Sequence, residues 1–120
     1  MLCSIFVRSK SLYQVADAVK EACKGFPVGR RARKVILQGE ETKNPEEETE
    51  TINIYVEFDR TLQLLFSVIS LSDEIAAIHV LRDTEDLEFT EENAVADFIH
   101  DIIEFLLEKF GWDNVKWLLL

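Results

Sequence analysis

Glycine and proline are scarce in this chain, four and two among 120 residues. Loops that cradle phosphate need clustered glycines, so that backbone amides can close on the ligand. Gly25 and Gly29 flank only a Phe-Pro-Val turn and match neither nucleotide-binding fingerprint. Cysteine is equally thin. Cys3 and Cys23 have no metal-ligand spacing, and both fall among apolar residues. Buried free thiols are the expected state, the alternative being a disulfide if the first strand and first helix pack closely. Histidine occurs twice, as His79 and His100, and no motif ties either to a serine or cysteine nucleophile. His79, inside a strand pattern, reads as a structurally satisfied side chain. His100, beside Asp97, Asp101 and Glu104, lacks any familiar metal-site spacing, so neither metal nor cofactor is expected.

Two further shortages bound the setting. Cations are outnumbered, with 13 Lys and Arg against 23 Asp and Glu and a net charge of −10. That balance argues against a general nucleic-acid binder, because phosphate contacts need a cationic field, and it favours attraction to basic surfaces. No apolar run is long enough to span a membrane, and no cationic, cleavable leader is visible, so the expectation is a cytoplasmic protein without a membrane partner. The hydrophobic fraction of 48% suits a globular chain. At this length one domain, residues 1–120, buries enough surface for a core without staples.

What is present is organised around Thr90–Phe110, where every helix signal agrees. Thr90 is placed to cap the first turn, Glu91 and Glu92 suit the positive end of the helix dipole, Lys109 sits in the last turn, and Gly111 follows as a left-handed stop. From Ala94 to Phe110 the apolar residues cover about 220° of the helix surface. A helix resting on one sheet needs only about 100° or a little more. A second element, either the tail Trp112–Leu120 or another subunit, must therefore cover the excess. On the remaining arc Asp97, Asp101, Glu104 and Glu108 recur at helical spacing, where like charges repel weakly. The plain reading is a solvated acidic face. The sharper one is a ridge that meets a basic partner.

Earlier in the chain, Leu2–Val7 reads as a buried strand. Ser11 and Gln14 form a capping-box pair before a helical repeat, Leu12, Val15, Ala16, Val19, Ala22, Cys23 and Phe26, which Gly25 and Pro27 end. This helix has a stripe of ordinary width. Val35–Leu37 is a second strand. The strand–helix–strand order makes these two strands parallel, either as neighbours or with another strand between. Gly39–Glu50 reads as a polar loop. Thr51–Phe58 alternates cleanly, with Ile52, Ile54, Val56 and Phe58 on one face. Leu62–Leu71 is apolar on both faces, which places it mid-sheet or at an interface. Ile75–Leu81 reads as a further strand, although periodicity alone leaves part of 62–81 open to a helical reading.

Two other stretches invite contact. Arg30, Arg31, Arg33 and Lys34 form a basic segment in an acidic chain. It serves either to balance the Glu46–Glu48 tract or to hold an anion, for which Arg forks are suited. The terminal Trp-Leu-Leu-Leu is apolar where chain ends are usually polar, so it must dock.

The sequence thus predicts an α+β fold, a mostly antiparallel sheet of about five strands in the order β-α-β-β-β-β-α with both helices packed on it. It points to a non-enzymatic protein-interaction module of the kind found among inhibitors, immunity proteins and phage-encoded antagonists. Such a module would be a homodimer that binds a basic protein surface through Asp97, Asp101, Glu104, Glu108, Trp112, Trp117, Leu118 and Leu120. The alternative is a small-ligand or nucleotide-binding regulatory domain using residues 30–34.

Overall fold

The computed structural model describes residues 2–25, 34–44, 49–57, 63–82 and 89–119; for 24–25, 34–44, 49–50, 57, 63 and 89–94 the description is of the backbone alone. These residues form β1 (Cys3–Arg8), α1 (Leu12–Gly25), β2 (Lys34–Asn44), β3 (Thr49–Glu57), β4 (Gln63–Ser70), β5 (Ile75–Arg82), α2 (Phe89–Phe110), a single 3₁₀ turn (Trp112–Asn114) and β6 (Val115–Leu119). The fold is α+β in the predicted order, and the described part of the 62–81 stretch forms two strands rather than helix. The tail adds a sixth strand. The sheet order is β2-β3-β4-β5-β1-β6, and every neighbouring pair is antiparallel. It follows that β1 and β2 run parallel as expected, but with three strands between them rather than one or none.

Period-two alternation decides which face meets the helices. Cys3, Ile5 and Val7 of β1 register with Val80, Ile78 and Ala76 of β5. Those in turn lie opposite Phe66 and Val68 of β4, and Ile54 and Ile52 of β3 follow. All are buried and share one cluster with Val15, Val19 and Cys23 of α1 and Phe98, Ile102 and Leu106 of α2. Phe66 and Phe98 meet edge to face at 6.3 Å, the geometry that aligns a ring edge with a π-face.

Local signals explain the helices. The Gln14 amide donates to the Ser11 hydroxyl at 3.4 Å, which forms the predicted cap of α1. The start of α2 is Phe89, one residue earlier than expected, so Thr90 lies inside the first turn instead of capping it. At the other end the Gly111 amide donates to Leu107 at 2.9 Å, and the Asn114 side-chain amide donates to the Phe110 carbonyl at 2.7 Å. Gly111 has φ 93° and ψ 149°, a positive-φ extended conformation rather than the left-handed helical one, and it turns the chain from α2 toward β6.

The wide apolar arc of α2 is closed within the chain. On the helical wheel Phe98 and Phe105 form the flank nearer α1, where Lys109 on the same side bonds Glu21 of α1 at 2.8 Å. On the opposite flank Ile103 and Leu107 are buried, and α2 there meets the 3₁₀ turn and β6. Thus the tail docks inside the monomer, pairing with β1 from Val7↔Val115 to Cys3↔Leu119. One expectation is corrected. Much of the supposed loop 39–50 is hairpin backbone, with β2 reaching Asn44, β3 starting at Thr49 and a register shift between Gln38 and Thr42. As an edge strand β2 readily carries charged and polar residues, and these read as loop. Pro45, Glu46, Glu47 and Glu48 lie outside the described residues, as do Phe26, Pro27, Phe58 to Leu62 and Asp83 to Glu88.

Candidate functional site

The acidic residues of α2 form one continuous strip. Asp97, Glu104 and Glu108 are exposed and Asp101 is half-buried, at spacings of four, three and four residues. The strip is set opposite the buried positions Val95, Ile99, Ile102 and Leu106, so it points away from the sheet. None of the four makes an ion pair among the described residues. Nearby cations are committed elsewhere. Lys109 bonds Glu21 and lies 5.7 Å from the Phe105 ring centre, and Lys20 pairs with Asp17 at 3.6 Å. His100 sits exposed beside the strip. Among the described residues no three His, Cys, Asp or Glu side chains gather as a metal cluster.

The other proposed contact residues do not join this strip. Trp112 follows α2 and is 71% exposed. Trp117 and Leu119 register with Ile5 and Cys3, on the helix side of the sheet edge, while Leu118 registers with Ser4 on the opposite face. The seven of these residues that the structure describes therefore occupy different sides of the molecule. Leu120 and the basic residues Arg30, Arg31 and Arg33 lie outside the described residues, and Lys34 opens β2 with only its backbone described.

Sequence reasoning missed a pairing that strand register creates. Ser4 lies opposite His79, and its hydroxyl contacts His79 Nδ1 at 3.0 Å. The serine is buried and the imidazole half-buried, so the pair satisfies polar groups on the sheet face away from the helices. The expected structurally satisfied histidine is thus found, with a partner 75 residues away that no local motif could announce.

Clefts lie at both ends of the sheet. One, of about 370 Å³, opens between α2 and the β6 edge, with Leu2, Val95, Ile99 and Leu119 as walls and Arg82 and His100 as polar groups. Another, of about 590 Å³, is lined by Arg8, Ser9, Lys10 and Ser11 at the start of α1, together with Glu74, Phe110 and Asn114. The two thiols face neither. Burial pushes Cys3 up to about 11 and Cys23 up to about 12, so both stay protonated and inert near neutrality. No helix among the described residues is long and apolar enough to cross a membrane. Compared with protein families, with characterised proteins and with solved structures, the chain matches none of them.

Proposed function

We propose that this chain is a non-enzymatic protein-interaction module whose acidic α2 strip docks on a basic surface of a protein partner, and that it acts as a homodimer. The observation that carries the reading is the strip Asp97, Asp101, Glu104 and Glu108, which faces solvent with no ion pair among the described residues. Carboxylates stacked at i,i+4 cost the helix a little stability. A cationic partner would relieve that cost and would be steered in by the chain's net charge of −10. Trp112, exposed just beyond the Glu108 end of the helix, adds an aromatic surface of the kind that anchors interfaces. The reading groups the module with acidic inhibitors, immunity proteins and phage-encoded antagonists by analogy of surface chemistry alone.

The test is calorimetric titration with a short Lys/Arg-rich peptide at several salt concentrations. The double variant D97K/E104K should weaken binding by about tenfold or more, since exposed pairs contribute up to about 1 kcal/mol each. A control, D73K/E74K, makes the same charge change in the β4–β5 turn. If both variants lose affinity equally, net charge alone is responsible and the strip is not the site.

A further inference from the structure

The sheet face turned away from the helices is covered by nothing among the described residues, and its pattern is ordered. Tyr55, Leu65 and Leu81 register across β3, β4 and β5 as one apolar row. Ile69, Ala77 and Phe6 form a second across β4, β5 and β1. Between the two runs a polar row, Asn53, Ser67, His79 and Ser4. None of these residues belongs to the core cluster shared with the helices. Ala77 and Ser4 are nevertheless buried, sheltered by the longer side chains around them.

We propose that two copies of this chain pack these open faces together around a two-fold axis lying between the sheets. Two in-plane axes are available, along the strands or across them. For either axis the polar row meets its own counterpart and apolar rows meet apolar rows. Ser4 and His79 already satisfy one another at 3.0 Å, so closing the interface does not orphan that pair. Charge points to the same partner. Among the described side chains the charged members of this face are Arg8 and Lys116 at its rim, and the register positions of Lys34 and Glu57, opposite one another at the β2–β3 end, add one charge of each sign. A chain of net charge −10 meets its own copy with least repulsion there.

The area is sufficient. Six strands about 4.8 Å apart, over about six residues at about 3.3 Å, give each copy a footprint of about 550 Å². The pair then buries about 1,100 Å², near the lower bound for a specific interface. Sheets stacked in this way sit about 10 Å apart.

The inference fills in the self-association of the interaction-module reading and rests on that reading only there. Sedimentation velocity of the full chain over a wide concentration range should show a reversible dimer. Ile69→Glu buries an unpaired carboxylate in that interface, and it should weaken dimerisation more than about a hundredfold while the circular dichroism and melting of dilute protein persist. Glu104→Lys, on the helix side, should leave the dimer intact. If Ile69→Glu does not fold, Tyr55→Lys in the other apolar row replaces it with the same expectation. A wild-type chain that stays monomeric overturns the proposal, and so does a dimer indifferent to both variants. A dimer lost only in Leu119→Pro would mean pairing along the β6 edge, which also overturns it. Titrating the Ile69→Glu monomer with the basic peptide separates the two readings, since the α2 strip is untouched in that variant.

Discussion

The two faces of the sheet are built from the same strands, yet they are finished differently. On the helix side Ile54, Phe66, Val80 and Cys3 run in register across the strands without exposure, and two helices close over them. On the other side most described positions are half-exposed, with Ser4 and Ala77 buried among them. There Leu65, Ile69 and Phe6 are apolar but uncovered, and Asn53, Ser67 and His79 are polar. A sheet that met water on that side would be expected to alternate hydrophobic-in with polar-out. Along β4 that side carries Leu65 and Ile69 about a polar Ser67, more apolar surface than a water-facing strand needs, and this supports the proposal that a second copy covers it. One face carries the stability of the monomer, and the other is free to carry contact.

Substitutions that break this contrast should differ in size. The largest effect is expected from Phe66→Ala, which removes a fully buried ring and its 6.3 Å edge-to-face contact with Phe98. It should lower unfolding free energy by about 3–5 kcal/mol in a urea titration.

Next come the thiols, which lie on the helix side, Cys3 in β1 and Cys23 in α1. Both folded values are raised from 9.0, to about 11 and about 12. The unfolded chain therefore loses these protons first. Stability is unaffected by the thiols below about pH 9 and falls as pH rises above it toward the folded values. Urea midpoints measured from neutral pH to pH 11 check the slope, and Cys23→Ala should make it shallower. Neither thiol should react with a disulfide reagent until the chain unfolds.

Gly111→Ala tests the joint that carries the chain from α2 to β6. At φ 93° and ψ 149° only glycine sits without strain, and the nearest atom to an added methyl, Asn114 Nδ2, is 3.5 Å away. The loss is therefore backbone strain without a clash, about 1–3 kcal/mol by thermal or urea unfolding. The smallest effect should come from Leu65→Ser on the open face. In dilute protein it should cost less than about 1 kcal/mol, because a half-exposed cross-strand side chain contributes little. If it cost as much as Phe66→Ala, the two faces would be equivalent in the monomer, and the contrast would fail.

Much of this contrast was legible in the residues. The alternation Ile52, Ile54, Val56 identified the helix-facing side of β3, and Ser11 and Gly111 marked helix ends through capping and backbone freedom. The double-sided apolarity of Leu64, Leu65, Phe66, Val68 and Ile69 pointed to a mid-sheet strand or an interface, and β4 lies third in the six-strand order. Three features were not legible. The tail reads equally as docked within the monomer or in a subunit interface, and only its register with β1 shows that Val115 is buried while Leu118 is not. The polar residues of β2 hide a strand because edge strands commonly carry the charged and polar side chains that also mark loops. Ser4 and His79 meet through register alone, so neither residue carried a local sign of the other. The acidic strip was legible in full, because 3.6-residue spacing alone puts Asp97, Asp101, Glu104 and Glu108 on one side.

The most direct test of the difference between the faces is hydroxyl-radical footprinting of the wild-type chain in dilute and in concentrated solution. Phe6 and Tyr55, half-buried on the open face, should be modified when the protein is dilute and protected when it is concentrated. Phe66 and Phe98 should be protected in both, and Trp112 modified in both. Modification of Phe6 and Tyr55 that does not change while the sedimenting mass doubles would contradict the account, because the second copy would then be bound somewhere other than the open face.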